Sequence, residues 1–231
     1  MREIGGRCLS RATQENVNLI WGDIPEWAYV SVASLLGCLR KVDEVTFHHC
    51  IRVGEYSRLL ARDAGLNEFQ QKVAEFSGIL HDIGKSGIQS SVIHKPGKLT
   101  DLEYEHMKQH SLFSEQIIEP LAVHDFFRQV LPAVRGHHER LDGRGYPDQL
   151  HGEKIPLISR VILIVDTLDA MSENRAYRQG LPIDRIYAEI KKYSGTQFDA
   201  GLAQIFLEGH KHWHLEKSEA ETLEKISKKV A

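Results

Sequence analysis

The stretch that decides the fold is Leu157-Ile158-Ser159-Arg160-Val161-Ile162-Leu163-Ile164-Val165-Asp166-Thr167-Leu168-Asp169-Ala170-Met171-Ser172-Glu173. Its centre, Val161 to Val165, is an apolar and largely β-branched run that by itself reads as a buried strand. Strands, however, run about 4–8 residues, and this pattern continues well past that; length and flanking pattern favour a helix. Outward toward the C-terminus, residues 182–194, 199–212 and 216–229 read as helices, the last a solvated one rich in Glu and Lys. Toward the N-terminus, apolar residues recur at helical spacing over Trp27–Leu39, 44–64 and 68–83. The third of these segments ends at His81-Asp82-Ile83-Gly84-Lys85, with Gly84 as its breaker. Thr100-Asp101-Leu102-Glu103 forms a capping box opening a helix to about Ile118, and another helix covers 125–138. Residues 86–99 and 143–156 carry the Gly and Pro of loops. No strand alternation and no internal repeat stands out. The chain is therefore expected to be all-α, a bundle of about seven to nine helices.

The bulk numbers agree. The 231 residues are 42% hydrophobic and 26% charged, a globular profile. A net charge of -3 excludes a general basic field for long nucleic acid, so a phosphate-bearing ligand must be held locally. Val161–Val165 is the strongest apolar run, far short of the roughly 20 residues a membrane span needs, and no signal-peptide pattern opens the chain. Cys8, Cys38 and Cys50 share no close spacing and read as reduced thiols. These features lead to the expectation of a cytoplasmic protein that does not engage a membrane.

Three features rise above composition: His81-Asp82 followed by Lys85; His137-His138-Glu139 followed by Asp142-Gly143 and Gly145-Tyr146-Pro147; and Asp166-Thr167-Leu168-Asp169. With His49 and His110, they supply the imidazoles and carboxylates of a mixed metal site. A phosphodiester resists hydrolysis because its charge repels nucleophiles and its alkoxide leaves poorly. Two metals about 3.5–4 Å apart answer both problems, generating hydroxide at neutral pH and stabilising both oxygens. Such a pair needs several neutral imidazoles and a carboxylate able to bridge. Histidine suits Zn, Fe or Ni, and carboxylate adds affinity for Mn and Fe. Adjacent ligands such as 81/82 and 137/138 lie about 100° apart on a helix and can therefore reach different metals across one cleft.

The sequence resembles the HD-GYP family of the HD phosphohydrolase superfamily. The matching blocks are HHCIRV at 48–53, GILHDIGK at 78–85, KPGKLT at 95–100, MKQH at 107–110, HHERLDGRGYP at 137–147, IPLISR at 155–160, DTLDAMSENRAYR at 166–178 and SGTQFD at 194–199. The resemblance implies an HD-type helical bundle that hydrolyses cyclic dinucleotides, cyclic di-GMP or cyclic GMP-AMP, at a binuclear centre with a bridging hydroxide. It implies one divalent transition metal on His49, His81, Asp82 and Asp166 and a second on His110, His137 and His138, with Asp82 bridging. Fe or Mn is the expected metal, with Zn and Ni as alternatives. Lys85 is implied beside the phosphate, Asp169 behind a metal ligand, and Tyr146, Arg175 and Arg178 against substrate phosphates or bases. The catalytic domain is expected over 28–214, between an N-terminal extension of 1–27 and a C-terminal helix of 215–231. That extension is too short for a typical sensory domain, which leaves either a stand-alone catalytic unit or regulation by signalling-protein partners.

Three positions depart from the family pattern. Val45 stands where some members carry a third-metal glutamate, Ile88-Gln89-Ser90 replaces isoleucine-proline-aspartate, and Ser114 replaces a glycine. None removes a ligand of the pair. The competing readings are a general HD nucleotide phosphohydrolase, which lacks the Asp-Gly-x-Gly-Tyr-Pro loop, and a cyclic-dinucleotide sensor that has lost turnover, which normally lacks a ligand. His48, His94, His106, His124, His151, His210, His212 and His214 fit no ligand position.

Overall fold

The computed structural model describes residues 24–173 and 179–213. Nine helices of eight or more residues lie among them. These are α1 (Glu26–Val42), α2 (Glu44–Asp63), α3 (Glu68–Leu80), α4 (Asp101–Lys108), α5 (His110–Ile118), α6 (Asp125–Arg135), α7 (Leu157–Ser172), α8 (Ile183–Lys192) and α9 (Ala200–Gly209), joined by short 3-10 turns and a one-turn helix at Ser90–Ile93. Among the described residues, β-pairing is confined to two isolated bridges. The fold is all-α. The expected helix over 216–229, and with it the 215–231 segment, lies outside the described residues, as do most of 1–27, Cys8 and His214.

Side-chain oxygens start four of these helices. Asp43 accepts from the amides of Val45 and Thr46 ahead of α2, and Asp199 caps α9. Asn67 with Gln70, and Thr100 with Glu103, form reciprocal capping boxes for α3 and α4. Each cap satisfies an amide that has no partner within its helix and contributes about 1 kcal/mol.

Two apolar clusters fill the interior. One joins α1, α2, α3 and α6 through Leu36, Phe47, Phe76, Phe126 and Phe127. The other wraps α7, placing Val161 to Val165 against Leu60, Ile186, Phe198 and Phe206. The β-branched run is thus a helix covered by neighbours, which explains its apolarity. α2 and α3 approach closely at Gly54 and Gly78. A Cβ on Gly78 would lie 2.8 Å from the Gly54 Cα, so any side chain there would force the two helices apart.

Several boundaries differ from the periodicity reading. α3 stops at Leu80, His81 caps it, and Asp82 has φ -106° and ψ 7°. Residues 83–87 then form a 3-10 turn, so Gly84 is not the terminating residue. A Cβ on Gly84 would strike the backbone of His110 and Ser114, and the glycine is there for close approach to α5. The single helix expected over 100–118 is broken at Gln109, and the one expected over 125–138 ends at Arg135. His81-Asp82 and His137-His138 are therefore turn residues just past helix ends, and the 100° helical argument for them does not hold.

Candidate metal centre

All three corrected boundaries share one cause. The Nδ1 atoms of His81, His110 and His137 lie 2.7, 2.7 and 2.6 Å from the carbonyls of Gly78, Met107 and Val134, each three residues upstream. A carbonyl only accepts, so Nδ1 carries the proton and donates. Each imidazole thereby satisfies a carbonyl in the last turn of a helix, where backbone partners run out. The Nε2 of each ring is left as a bare lone pair. His49, on α2, turns its Nε2 to the same place differently: its Nδ1 is 2.7 Å from Asp169 Oδ2, and without metal the Nε2 holds a proton toward Asp166.

These Nε2 atoms converge. His110 Nε2 lies 3.2 Å from His137 Nε2 and 3.1 Å from His138 Nε2. His49 Nε2 lies 3.2 Å from both His81 Nε2 and Asp166 Oδ1. Between the two groups stands Asp82, with Oδ2 3.4 Å from His81 and 3.6 Å from His49, and Oδ1 3.3 Å from His110. Lone pairs facing each other at such distances, in a site where His49, His81, Asp82, His110 and His137 are buried, repel unless a cation lies between them. Ligands about 2.1 Å from one metal at 90–110° are separated by about 3.0–3.4 Å. The donor set therefore fits metal ions, and His110/His137/His138 and His49/His81/Asp166 are groups that could each hold one. Every ligand position expected from the sequence reaches this cluster.

The electrostatics of the two groups differ. Burial works to lower the pKa of His49, but Asp166, Asp169 and Asp82 outweigh it and push the imidazole up to about 9. At His138 burial, with His110 beside it, outweighs the pull of Asp166 and Asp82 and lowers the imidazole to about 3. His137 is likewise held well below its usual range by burial and then by His138. Burial would raise Asp82, yet Lys85, His81 and His110 hold it well below the carboxylate range. Asp166 is also depressed: the hydrogen bond and charge of His49 overcome its burial.

Lys85 Nζ donates to Asp82 Oδ2 at 2.5 Å. Tyr146 is packed on the centre rather than standing apart from it. Its ring is tilted 33° over His138 with centroids 4.7 Å apart, and it meets the ring of His110 at 6.3 Å. One face is thus occupied by a candidate ligand. Arg175 and Arg178 lie outside the described residues. Val45 is 63% exposed, and Glu44 on the next position pairs with Arg40.

The supporting roles of three residues escape a reading of motifs alone. Buried Glu139 accepts the amides of Asp148 and Leu150 at 2.6 and 3.0 Å, pinning the Gly143–Pro147 loop beside His138. Ser114 accepts from the Gly84 amide and donates to the His81 carbonyl, so the hydroxyl locks the turn that carries His81 and Asp82. Arg52 grips Asp169; its place three residues after His49 puts it near the same helix face, the one signal the sequence offered. The 194–199 block also acquires a role, since the carbonyls of Thr196 and Gln197 accept the amides of Asp142 and Leu141.

Comparison with known proteins matches residues 35–202 to the HD domain family. A 3'3'-cGAMP-specific phosphodiesterase of Vibrio cholerae is 35% identical over 154 residues, covering 67% of this chain and 33% of that protein. A cyclic di-GMP phosphodiesterase response regulator of Xanthomonas campestris is 38% identical over 160 residues, covering 68% of this chain and 42% of that protein. This chain spans well under half the length of either relative. Among solved structures, an HDG"Y"P protein from Bdellovibrio bacteriovorus aligns with a TM-score of 0.59 at 14% identity, over 87% of this chain and 69% of that one. At that identity the likeness concerns the fold.

Proposed function

The chain belongs to the HD domain family, and from that premise we propose that it is a metal-dependent phosphodiesterase of the HD-GYP type, opening a cyclic dinucleotide such as cyclic di-GMP or cyclic GMP-AMP. The observation that carries this reading is the division of Asp82, whose two oxygens face two separate imidazole groups. The ligand sets proposed are His49, His81, Asp82 and Asp166 for one ion, and His110, His137, His138 and Asp82 for the other. The mixed imidazole and carboxylate donors suit Fe or Mn, with Zn or Ni as alternatives. When bound, such a pair supplies an activated nucleophile and charge stabilisation for the leaving oxygen.

The chain's own residues do the rest. Carbonyl-held Nδ1 protons and the His49–Asp169 contact fix the ring tautomers, so donors are in place before substrate arrives. Lys85 neutralises Asp82 and sets a cation beside the phosphate position. Tyr146 steadies His138 and leaves its remaining surface for the substrate, while Arg175 and Arg178 are assigned to phosphate or base contact, where an Arg fork suits phosphate. No helix of the described residues is long and apolar enough to cross a membrane. The catalytic unit is taken as 28–214, and input from signalling partners accords with relatives more than twice as long as the matched region.

Chromatographic analysis of products from cyclic di-GMP and 3'3'-cGAMP, using metal-loaded protein, tests the proposal. Linear dinucleotide or mononucleotide from either substrate is the expected result. Metal-loaded protein that binds both and cleaves neither would be a sensor, and the proposal would fail.

A further inference from the structure

We infer that Arg52 is a positioning residue for the carboxylate side of the metal centre, and that it keeps Asp169 and Glu173 from becoming a competing cation site. The inference rests on the metal-centre reading above. Arg52 donates from Nε to Asp169 Oδ1 at 2.6 Å and from Nη2 to Asp169 Oδ2 at 2.9 Å, and it also pairs with Glu173. Asp169 is 2% exposed, and its Oδ2 receives His49 Nδ1 as well. One guanidinium thus clamps both oxygens of the carboxylate that orients His49.

The arrangement has a second consequence. His49, Asp169 and Glu173 place donor atoms within 4.8 Å of one another, on the Nδ1 side of the ring and away from the metal centre. Two carboxylates and an imidazole form a donor set that attracts divalent cations. A fixed positive charge among them removes that attraction, and the planar fork leaves Asp169 one orientation. His49 is thereby committed to donating through Nδ1, with Nε2 directed to Asp166 and His81. A lysine in place of Arg52 retains the charge without the fork. An uncharged side chain retains neither and leaves Asp169 buried with one partner fewer.

The test is a metal titration of chelator-stripped full chain with Mn²⁺ and Co²⁺, following the two binding events by electron paramagnetic resonance and visible absorption. It requires no substrate. In Arg52→Gln, one of the two events is expected to weaken by about 10–100-fold, the usual effect of losing a group behind a ligand. The other event, at His110/His137/His138, is expected to keep wild-type affinity. Arg52→Lys, less disruptive to folding, should weaken the same event by a smaller factor. Glu173→Gln leaves the clamp on Asp169 and should leave both events unchanged. Equal affinity of wild type and both Arg52 variants for the two ions would overturn the inference, as would equal weakening of both events in Arg52→Lys. Loss of the carboxylate-side event in Glu173→Gln would also overturn the route through Asp169. A wild-type chain that bound no metal would instead defeat the metal-centre reading, and this inference with it.

Discussion

The carboxylate side of the metal centre draws His49 and Asp166 from the bodies of α2 and α7 and the imidazole side draws on helix ends, and His49 and His138 hold opposite protonation preferences. On one side His49 faces Asp166, Asp82 and Asp169, and its imidazole keeps a proton up to about pH 9 when no metal is present. On the other, His110, His137 and His138 crowd one another beside Asp82, and burial outweighs that carboxylate and holds all three below their usual pKa. A metal must displace a proton to enter the first side and finds ready lone pairs on the second. The carboxylate side also favours the harder ions, and the imidazole side those that prefer nitrogen. Asp82 joins two sites of different character, so each can be broken separately.

The largest expected effect comes from removing the joint. Asp82→Ala should lower hydrolysis of cyclic di-GMP by more than the ~10–100-fold typical of losing a partner behind a ligand, and metal analysis should show depletion on both sides. Next come changes confined to one side. Asp166→Ala should weaken one ion and His138→Ala the other, each leaving the remaining ion in place; metal titration of the two variants reads the difference. Loss of both ions from either single variant would show that the sides are not independent.

A subtler contrast lies in pH. Below pH 9 in the metal-free protein, affinity at the carboxylate side should rise about tenfold per pH unit, one proton leaving as one ion binds. At the imidazole side affinity should be flat around neutrality. Stability of the metal-free protein depends on the same two groups, and at His49 with the opposite sign. The raised His49 contributes stability present below its ordinary value of 6.5 and lost as pH rises through about 9. The lowered His138 contributes stability present above 6.5 and lost as pH falls toward about 3. Calorimetric titration at several pH values, with buffers of different ionisation heat, measures the protons released. The smallest effect expected on chemistry is that of Gly78→Ala, which keeps the backbone carbonyl that holds His81. Separating α2 from α3 should cost about 1–3 kcal/mol of stability, read by denaturant unfolding, with metal stoichiometry retained.

Much of this was legible in the sequence. Helical spacing identified the main helices, and the Thr100–Glu103 capping box was explicit. Every ligand candidate from His49 to Asp166 arrives in one cluster. Where periodicity failed, it failed at the chemistry. His81, His110 and His137 each replace a backbone donor with a ring nitrogen at a helix end, which apolar spacing does not register, so helices were extended through residues that lie in turns. The roles of Glu139, Ser114 and Arg52 stayed hidden for a related reason. Each acts on a partner distant in sequence: Leu150 for Glu139, His81 for Ser114 and Asp169 for Arg52. Only folding reveals such pairs. Tyr146 was expected to face substrate, and its packing on His138 depends on the loop that Glu139 pins.

The central claim is a pair of ions joined by Asp82 and acting together on a cyclic dinucleotide. The most direct measurement titrates chelator-stripped protein with Mn²⁺ or anaerobic Fe²⁺ while following cyclic di-GMP hydrolysis at each step. The account predicts little activity at one equivalent and saturation at about two per chain. Full activity at a single equivalent, or none with two ions bound, would contradict it.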